Sequence, residues 1–151
     1  MSDRFESYLR HAAELVRAGD FFRAEGLERL ARETLEGLGS PPALAAKLHA
    51  QRGERAMSQG DYPQAEEAFA QAVAALREGG GGRELFELLQ RLGRACSRQG
   101  ADERALAAFD ESIALAASIG PAFFPVAYAH IARAESLRRL GRRADAEASL
   151  R

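Results

Sequence analysis

The sequence predicts an all-α protein built from a repeated pair of helices. Of its 151 residues, 32 are Ala and 18 are Leu, whereas only three are Val, three are Ile and one is Thr. Alanine and leucine favour helices, and the scarce β-branched residues favour strands. A second observation is that glycines recur at a nearly constant interval between stretches with helical periodicity. Together these features exclude a β-sheet protein.

The repeat is marked by four glycines that stand 41, 40 and 41 residues apart, namely Gly19, Gly60, Gly100 and Gly141. Each glycine follows one helical stretch and precedes another. We therefore expect each to end a helix in the left-handed conformation, which other residues adopt at a cost. Asp20 and Asp61 directly follow two of these glycines and are predicted to be N-caps of the next helix.

Small and aromatic residues keep fixed positions around these glycines. Seven residues before each glycine stand Ala12, Gly53, Gly93 and Ala134, and five residues after each stand Ala24, Ala65, Ala105 and Ala146. Phe69 and Phe109 follow four residues later, whereas the first repeat has Glu28 and the last Leu150 at this position. Small residues let two helix backbones approach closely, and we expect the aromatic ring to fill the gap between neighbouring pairs.

The predicted helices follow from these boundaries. They are residues 3–18, 21–36, 42–59, 62–78, 83–99, 102–119, 122–140 and 143–151. The connectors between pairs, 37–42, 79–82 and 120–121, are rich in Gly and Pro. Residues 1–151 are predicted to form a single domain of three pairs, 3–36, 42–78 and 83–119, with a partial fourth at 122–151.

This pattern resembles the tetratricopeptide repeat (TPR), most clearly at Leu92-Gly93, Gly100, Ala105 and Phe109. The period of 40–41 residues is longer than the usual repeat of about 34. It is similar to the longer repeats of kinesin light chains and MalT-like bacterial regulators. The resemblance implies a right-handed superhelical solenoid of helix-turn-helix repeats.

The fourth pair is shorter than the others, because its second helix reaches only Arg151. Its apolar face, which includes Leu150, would leave the third pair partly uncovered, and solenoid ends normally carry a polar cap. Two interpretations follow. Either the chain forms a homodimer with Leu150 in the interface, or further material follows in a longer parent protein.

No catalytic, metal or cofactor site is predicted, so we expect a protein that is not an enzyme. The glycine run 79–82 lacks the Gly-Lys-Ser/Thr of a phosphate-binding loop and is interpreted as a connector. The three histidines never form a close pair, and Cys96 is the single cysteine, so no zinc site can be assembled from them. Cys96 is predicted to be a buried, inert thiol.

Composition gives the expected surroundings of the protein. The formal net charge of -1 argues against nucleic acid as a partner. No stretch approaches the about 18 apolar residues that a membrane span needs. The absence of disulfides favours a cytoplasmic location, and the excess of Arg, Ala and Gly is typical of a GC-rich, bacterial genome.

The resemblance also implies where a protein partner binds, because the first helices of successive TPR pairs line a concave groove. Carried over to this chain, the stripe comprises Glu6, Leu9, Ala13, Val16, Arg17, Lys47, Ala50, Glu54, Met57, Ser58, Glu87, Gln90, Arg91, Arg94, Ser97, Arg98, Tyr128, Ile131, Glu135, Arg138 and Arg139. We take the partner-binding residues to be Glu54, Met57, Gln90, Arg91, Arg94, Ser97, Arg98, Tyr128, Ile131, Glu135 and Arg138.

The groove is predicted to become rich in arginine toward its C-terminal end. Arg91, Arg94 and Arg98 follow helical spacing and could bind carboxylates or phosphates of an acidic ligand. Alternatively they pair with Glu87, Asp102 or Glu103 along their own helices, or they are simply solvated. With one Lys and no Asn, the chain lacks the Lys/Asn clamp of chaperone-binding TPR proteins.

The predicted function is thus a non-catalytic adaptor or scaffold that docks an acidic or amphipathic peptide or helix of a partner protein. The alternatives are a homo-oligomeric structural protein and a sensor arm of a larger bacterial regulator.

Overall fold

The computed structural model describes residues 2–79, 82–120, 126–142 and 148–150, and the helices there confirm the all-α prediction. They are α1 (Ser2–Arg17), α2 (Phe21–Gly37), α3 (Pro42–Ser58), α4 (Tyr62–Gly79), α5 (Gly82–Arg98), α6 (Asp102–Ile119) and α7 (Val126–Arg139). The chain divides into two compact units, residues 1–80 with α1 to α4 and residues 81–151 with α5 to α7. A single domain over residues 1–151 stays a prediction.

The predicted helix bounds agree with the structure to within one or two residues through α6. The glycine connector is shorter than expected, because α4 includes Gly79 and α5 begins at Gly82. The predicted helix 122–140 is described from Val126 onward. Most of the predicted helix 143–151 lies outside the described residues.

Each first helix of a pair ends in the same hydrogen-bonded turn. At the end of α1, the Asp20 amide donates to the Leu15 carbonyl at 2.9 Å and the Gly19 amide donates to the Val16 carbonyl at 3.0 Å. These bonds define a Schellman motif, whose glycine must adopt a positive φ. The four repeat glycines have φ of 81°, 74°, 75° and 75° in chain order, which confirms their predicted role.

The predicted N-caps are also confirmed. An Asp20 carboxylate oxygen accepts the Arg23 amide at 3.2 Å, and an Asp61 carboxylate oxygen accepts the Gln64 amide at 3.2 Å. Each aspartate thereby satisfies an amide that has no partner within its helix. Only three residues separate α1 from α2, and three separate α3 from α4, so the turn within each of these pairs is short.

Two helix pairs are held by a ring that lies against a glycine. A Cβ atom built on Gly53 would stand 2.5 Å from the Phe69 ring, and one on Gly93 would stand 2.6 Å from the Phe109 ring. Real Cβ contacts are never this short, so the ring occupies the space that a side chain would take. Each contact joins the two helices of one pair, whereas we expected the ring between neighbouring pairs.

Apolar clusters join each pair to the next within a unit. In the first unit, Phe5 of α1 packs with Ala31 of α2 and Leu48 of α3. In the second unit, Phe86 of α5 packs with Ala116 of α6 and Ala129 of α7. Burial of such side chains is the main favourable contribution to folding.

The ring–glycine contact predicts the effect of Gly93→Ala. Alanine normally stabilises a helix interior by about 1 kcal/mol relative to glycine. Here the added methyl group would overlap the buried Phe109 ring, and overpacking of this kind costs about 1–3 kcal/mol. We expect a lower free energy of unfolding in urea denaturation.

Gly26→Ala is the matched control, since Gly26 also lies inside a helix but has nothing within 4 Å of the added Cβ. This substitution should leave stability unchanged or raise it. Equal stability gains in the two variants would contradict the packing argument.

Candidate interaction site

In the second unit, α5 and α7 present a surface on which an arginine covers a tyrosine. The Arg94 guanidinium carbon lies 5.3 Å from the centre of the Tyr128 ring, which is a cation–π geometry. Tyr128 is 46% exposed, and Ile131, about one turn further along α7, is 56% exposed. We call the surface formed by Arg94, Arg98, Tyr128, Ile131 and Arg138 the α5–α7 face.

Arg139 of α7 forms hydrogen bonds to Ser97 near the C-terminal end of α5. Arg139 Nη1 donates to Ser97 Oγ at 2.7 Å and to the Ser97 carbonyl at 3.3 Å. The same nitrogen lies 3.1 Å from a carboxylate oxygen of Asp102. Ser97 and Arg139 are therefore used to position α7, and Ser97 is less available to a partner than predicted.

Two of the carboxylates that could pair with Arg91, Arg94 or Arg98 contact other arginines. Glu87 pairs with Arg83 at 3.7 Å, and Asp102 is taken by Arg139. Arg94 lies over Tyr128, and Arg98 has no ion pair with any residue that the structure describes. Arg91 is half-buried and has an interaction within the chain.

Glu135 moderates the positive charge of the face. Its carboxylate oxygens lie 3.7 Å from Arg138 Nη2 and 3.7 Å from Arg139 Nη2. Because both contacts are solvent-exposed, they contribute little to stability. Arg138 can therefore exchange this partner for a carboxylate of a ligand at small cost.

Two residues of the predicted stripe are buried. Leu9 is 8% exposed and belongs to the cluster with Phe5 and Leu48, and Gln90 is 7% exposed. Their inclusion in a partner-contacting surface was wrong, since a buried side chain cannot reach a ligand without local rearrangement.

The first unit brings α1 and α3 together on the predicted face. Lys47 Nζ of α3 lies 2.6 Å from a Glu6 carboxylate oxygen of α1, in an exposed ion pair. Glu54 and Met57 of α3 are half-buried. Their contact with a partner stays a prediction.

The structure also contains a buried ion pair that the sequence reasoning missed. Arg55 Nε of α3 donates to both carboxylate oxygens of Glu28 on α2, at 3.1 and 2.9 Å, and Arg55 Nη1 donates to Gln59 Oε1 at 2.9 Å. The Glu28 and Arg55 side chains are only 4% and 7% exposed. Removal from water raises the pKa of Glu28, although the charge and hydrogen bonds of Arg55 oppose this change.

The repeat pattern carried a signal for this pair. Glu28 stands where the next two repeats have Phe69 and Phe109, and Arg55 stands where the third repeat has Ala95. A carboxylate at a core position needs a buried cation, so the two departures could have been read together.

His49 and His130 are half-buried and Cys96 is buried, whereas His11 is exposed. Cys96 is 2% exposed, which confirms that it is buried. Burial lowers the pKa of His49, and the nearby charge of Arg52 lowers it further. Within the described ranges, no three His, Cys, Asp or Glu side chains are grouped so that they could hold a metal ion. No described helix is long and apolar enough to cross a membrane.

The family model for the tetratricopeptide repeat matches residues 44–118, which cover the Gly53–Phe69 and Gly93–Phe109 contacts. The chain belongs to the tetratricopeptide repeat superfamily. No curated protein matches the sequence.

Solved TPR-like structures share the fold. BtubC (BKLC) from P. vanneervenii is 15% identical with a TM-score of 0.85, and the match covers 97% of this chain and 60% of that one. The nearly identical TPR-like repeats of a putative kinesin light chain from Podosopora anserina are 16% identical to this chain, with a TM-score of 0.77. This match covers 99% of the present chain and 72% of the Podosopora anserina chain. A single-substitution variant of the same repeats is 18% identical with a TM-score of 0.77. That match covers 97% of the present chain and 71% of the variant chain.

The family model confirms the predicted superfamily, and the structural likenesses confirm the predicted solenoid fold. The TPR fold suggests a protein-interaction adaptor, and TPR proteins are generally not catalytic. The chain spans 60% of the length of BtubC.

The buried ion pair predicts the outcome of a double-mutant cycle. Glu28→Leu and Arg55→Leu should each destabilise the first unit by about 3–5 kcal/mol, because each leaves an uncompensated buried charge. The double variant should be more stable than either single variant, since no charge is then buried alone.

Urea denaturation followed by circular dichroism measures the cycle. A double variant that loses the sum of the two single effects would show that the residues act independently.

Proposed function

We propose that this TPR protein is a non-catalytic adaptor whose α5–α7 face docks an acidic, amphipathic segment of a partner protein. The observation that carries the proposal is the Arg94 guanidinium over the exposed Tyr128 ring, with the exposed Ile131 side chain about one turn further along α7. An amphipathic helix offers apolar and charged side chains at matching spacing on one surface. The proposal therefore requires both types of contact.

The charge of the face favours carboxylates. Arg94, Arg98 and Arg138 are exposed, and Glu135 is the one predicted contact residue of α7 with a negative charge. The contact with Tyr128 holds the Arg94 guanidinium in place, which lowers the entropy lost when it binds a ligand. Arginine can bind a carboxylate through two parallel hydrogen bonds.

Charge reversal on this face tests the proposal. Random short peptides displayed on phage are selected on the full chain, and the enriched peptides are synthesised with a fluorescent label. We expect them to combine Asp or Glu with Leu or Phe. Arg94→Glu with Arg98→Glu should weaken their binding in fluorescence anisotropy by about tenfold or more, which corresponds to the loss of one charge-assisted hydrogen bond.

The control is Arg4→Glu with Arg10→Glu, which makes the same charge change on exposed positions of α1. Circular dichroism should show equal helicity in all three proteins. Peptides that bind the two double variants equally well, or that carry no acidic residues, would refute docking on the α5–α7 face.

Self-association is the second candidate, and the exposure of Leu150 favours it. This side chain is 62% exposed, which makes an apolar contact with a second copy available. If Leu150 lies in a homodimer interface, Leu150→Glu should convert dimer to monomer in light scattering at the same concentration. A monomeric unsubstituted chain at high concentration would rule out this function.

A further inference from the structure

The first unit contains an open groove that lies apart from the predicted partner-binding stripe. Its volume is about 810 Å³, and its lining comes mainly from α2 and α3, with Leu15 of α1 and Gln64 of α4 at its edges. The lining residues from α3 are Leu48, Arg52 and Arg55, and none of them belongs to the predicted partner-binding stripe. We call this surface the α2–α3 groove.

The lining of the groove combines apolar and cationic side chains. Its apolar members include Leu27, Leu30 and Phe22 of α2, and Phe22 is 88% exposed. Exposed apolar groups beside a cavity of this size are typical of surfaces that bind a ligand.

Its positive charge is not neutralised internally. Arg29 and Arg32 are exposed lining residues of α2, and neither has an ion pair in the part of the chain that the structure describes. Of the two lining carboxylates, Glu28 is already bound by Arg55. Glu25 is then the one lining carboxylate that is not committed to a buried pair, so the lining carries a net positive charge.

Gly26 is an open position in the lining of the groove. It lies inside α2, where glycine costs about 1 kcal/mol relative to alanine. In contrast to Gly53 and Gly93, nothing lies within 4 Å of a Cβ at this position, and its φ is not in the left-handed region. No internal contact requires a glycine here, and the space beside this position belongs to the groove, so a large side chain at residue 26 would enter it.

We propose that the α2–α3 groove is a second docking surface, which binds an acidic segment of a partner protein that carries a Leu or Phe anchor. The anchor packs against Leu27 and Leu30, which are half-buried and exposed, respectively, and the acidic residues pair with Arg29 and Arg32. This surface lies wholly within the first unit. Binding of a partner segment in this groove does not require that the α5–α7 face binds a partner.

The test uses the full chain with Arg94→Glu and Arg98→Glu, so that ligands of the α5–α7 face do not contribute. Random peptides are selected on this protein by phage display, and labelled copies of the enriched peptides are measured by fluorescence anisotropy. We expect sequences that combine acidic residues with Leu or Phe, and binding that weakens as salt is raised.

Two groove variants then locate the binding. Gly26→Leu fills the groove while it improves the helix propensity of α2, and Arg29→Glu with Arg32→Glu reverses the charge of its side. Each should weaken peptide binding by about tenfold or more. Gly26→Ala and Arg4→Glu with Arg10→Glu are the matched controls and should bind as the parent does.

Three results would overturn the proposal. The selection enriches no peptide, it enriches basic peptides, or the enriched peptides bind Gly26→Leu as tightly as they bind Gly26→Ala. A single-stranded RNA oligonucleotide that binds in place of the peptides, with loss in the Arg29→Glu, Arg32→Glu variant, would assign the groove to another class of ligand. Failure of peptide binding at the α2–α3 groove would not decide whether the α5–α7 face binds a partner, because that face is tested with its own variants.

Discussion

The structure depends on the close approach of two helices at a glycine. The rings of Phe69 and Phe109 occupy the space that a side chain on Gly53 or Gly93 would need. This contact fixes the axial register of the two helices, because the ring faces only one position without a Cβ atom. The turn glycine between them must then end the first helix at one defined residue. Packing and chain reversal are therefore set together within each pair.

The first pair has no ring at this position and carries a charged residue instead. Ala12 and Glu28 take the positions of the glycine and the ring, and Glu28 binds Arg55 of the next pair. A buried ion pair contributes less stability than apolar packing, because both groups lose their water. It is, however, strongly directional, since the two hydrogen bonds of Arg55 Nε place α2 and α3 in one arrangement. Glu28 and Arg55 also belong to the lining of the α2–α3 groove.

The two surfaces that we propose use the same chemistry in different units. Each sets exposed arginines beside apolar side chains, and each lies on helices of one unit only. Arg94 is held by an aromatic ring, whereas Arg29 and Arg32 stand at the side of a groove that Gly26 leaves open. An adaptor with two separate acidic-peptide surfaces could hold two segments at once, which raises avidity when both belong to one partner.

The sequence by itself determined the helices, their ends and the pairing of each helix with its neighbour along the chain. Glycine conformation, aspartate caps and the spacing of small residues act over a few residues, so they can be recognised without coordinates. Tertiary structure alone decided which groups meet across helices. Arg139 binds Ser97 and Asp102, Arg55 binds Glu28, and Leu9 and Gln90 turn inward. A long charged side chain has several partners within reach, and only the packed positions of the helices select one of them.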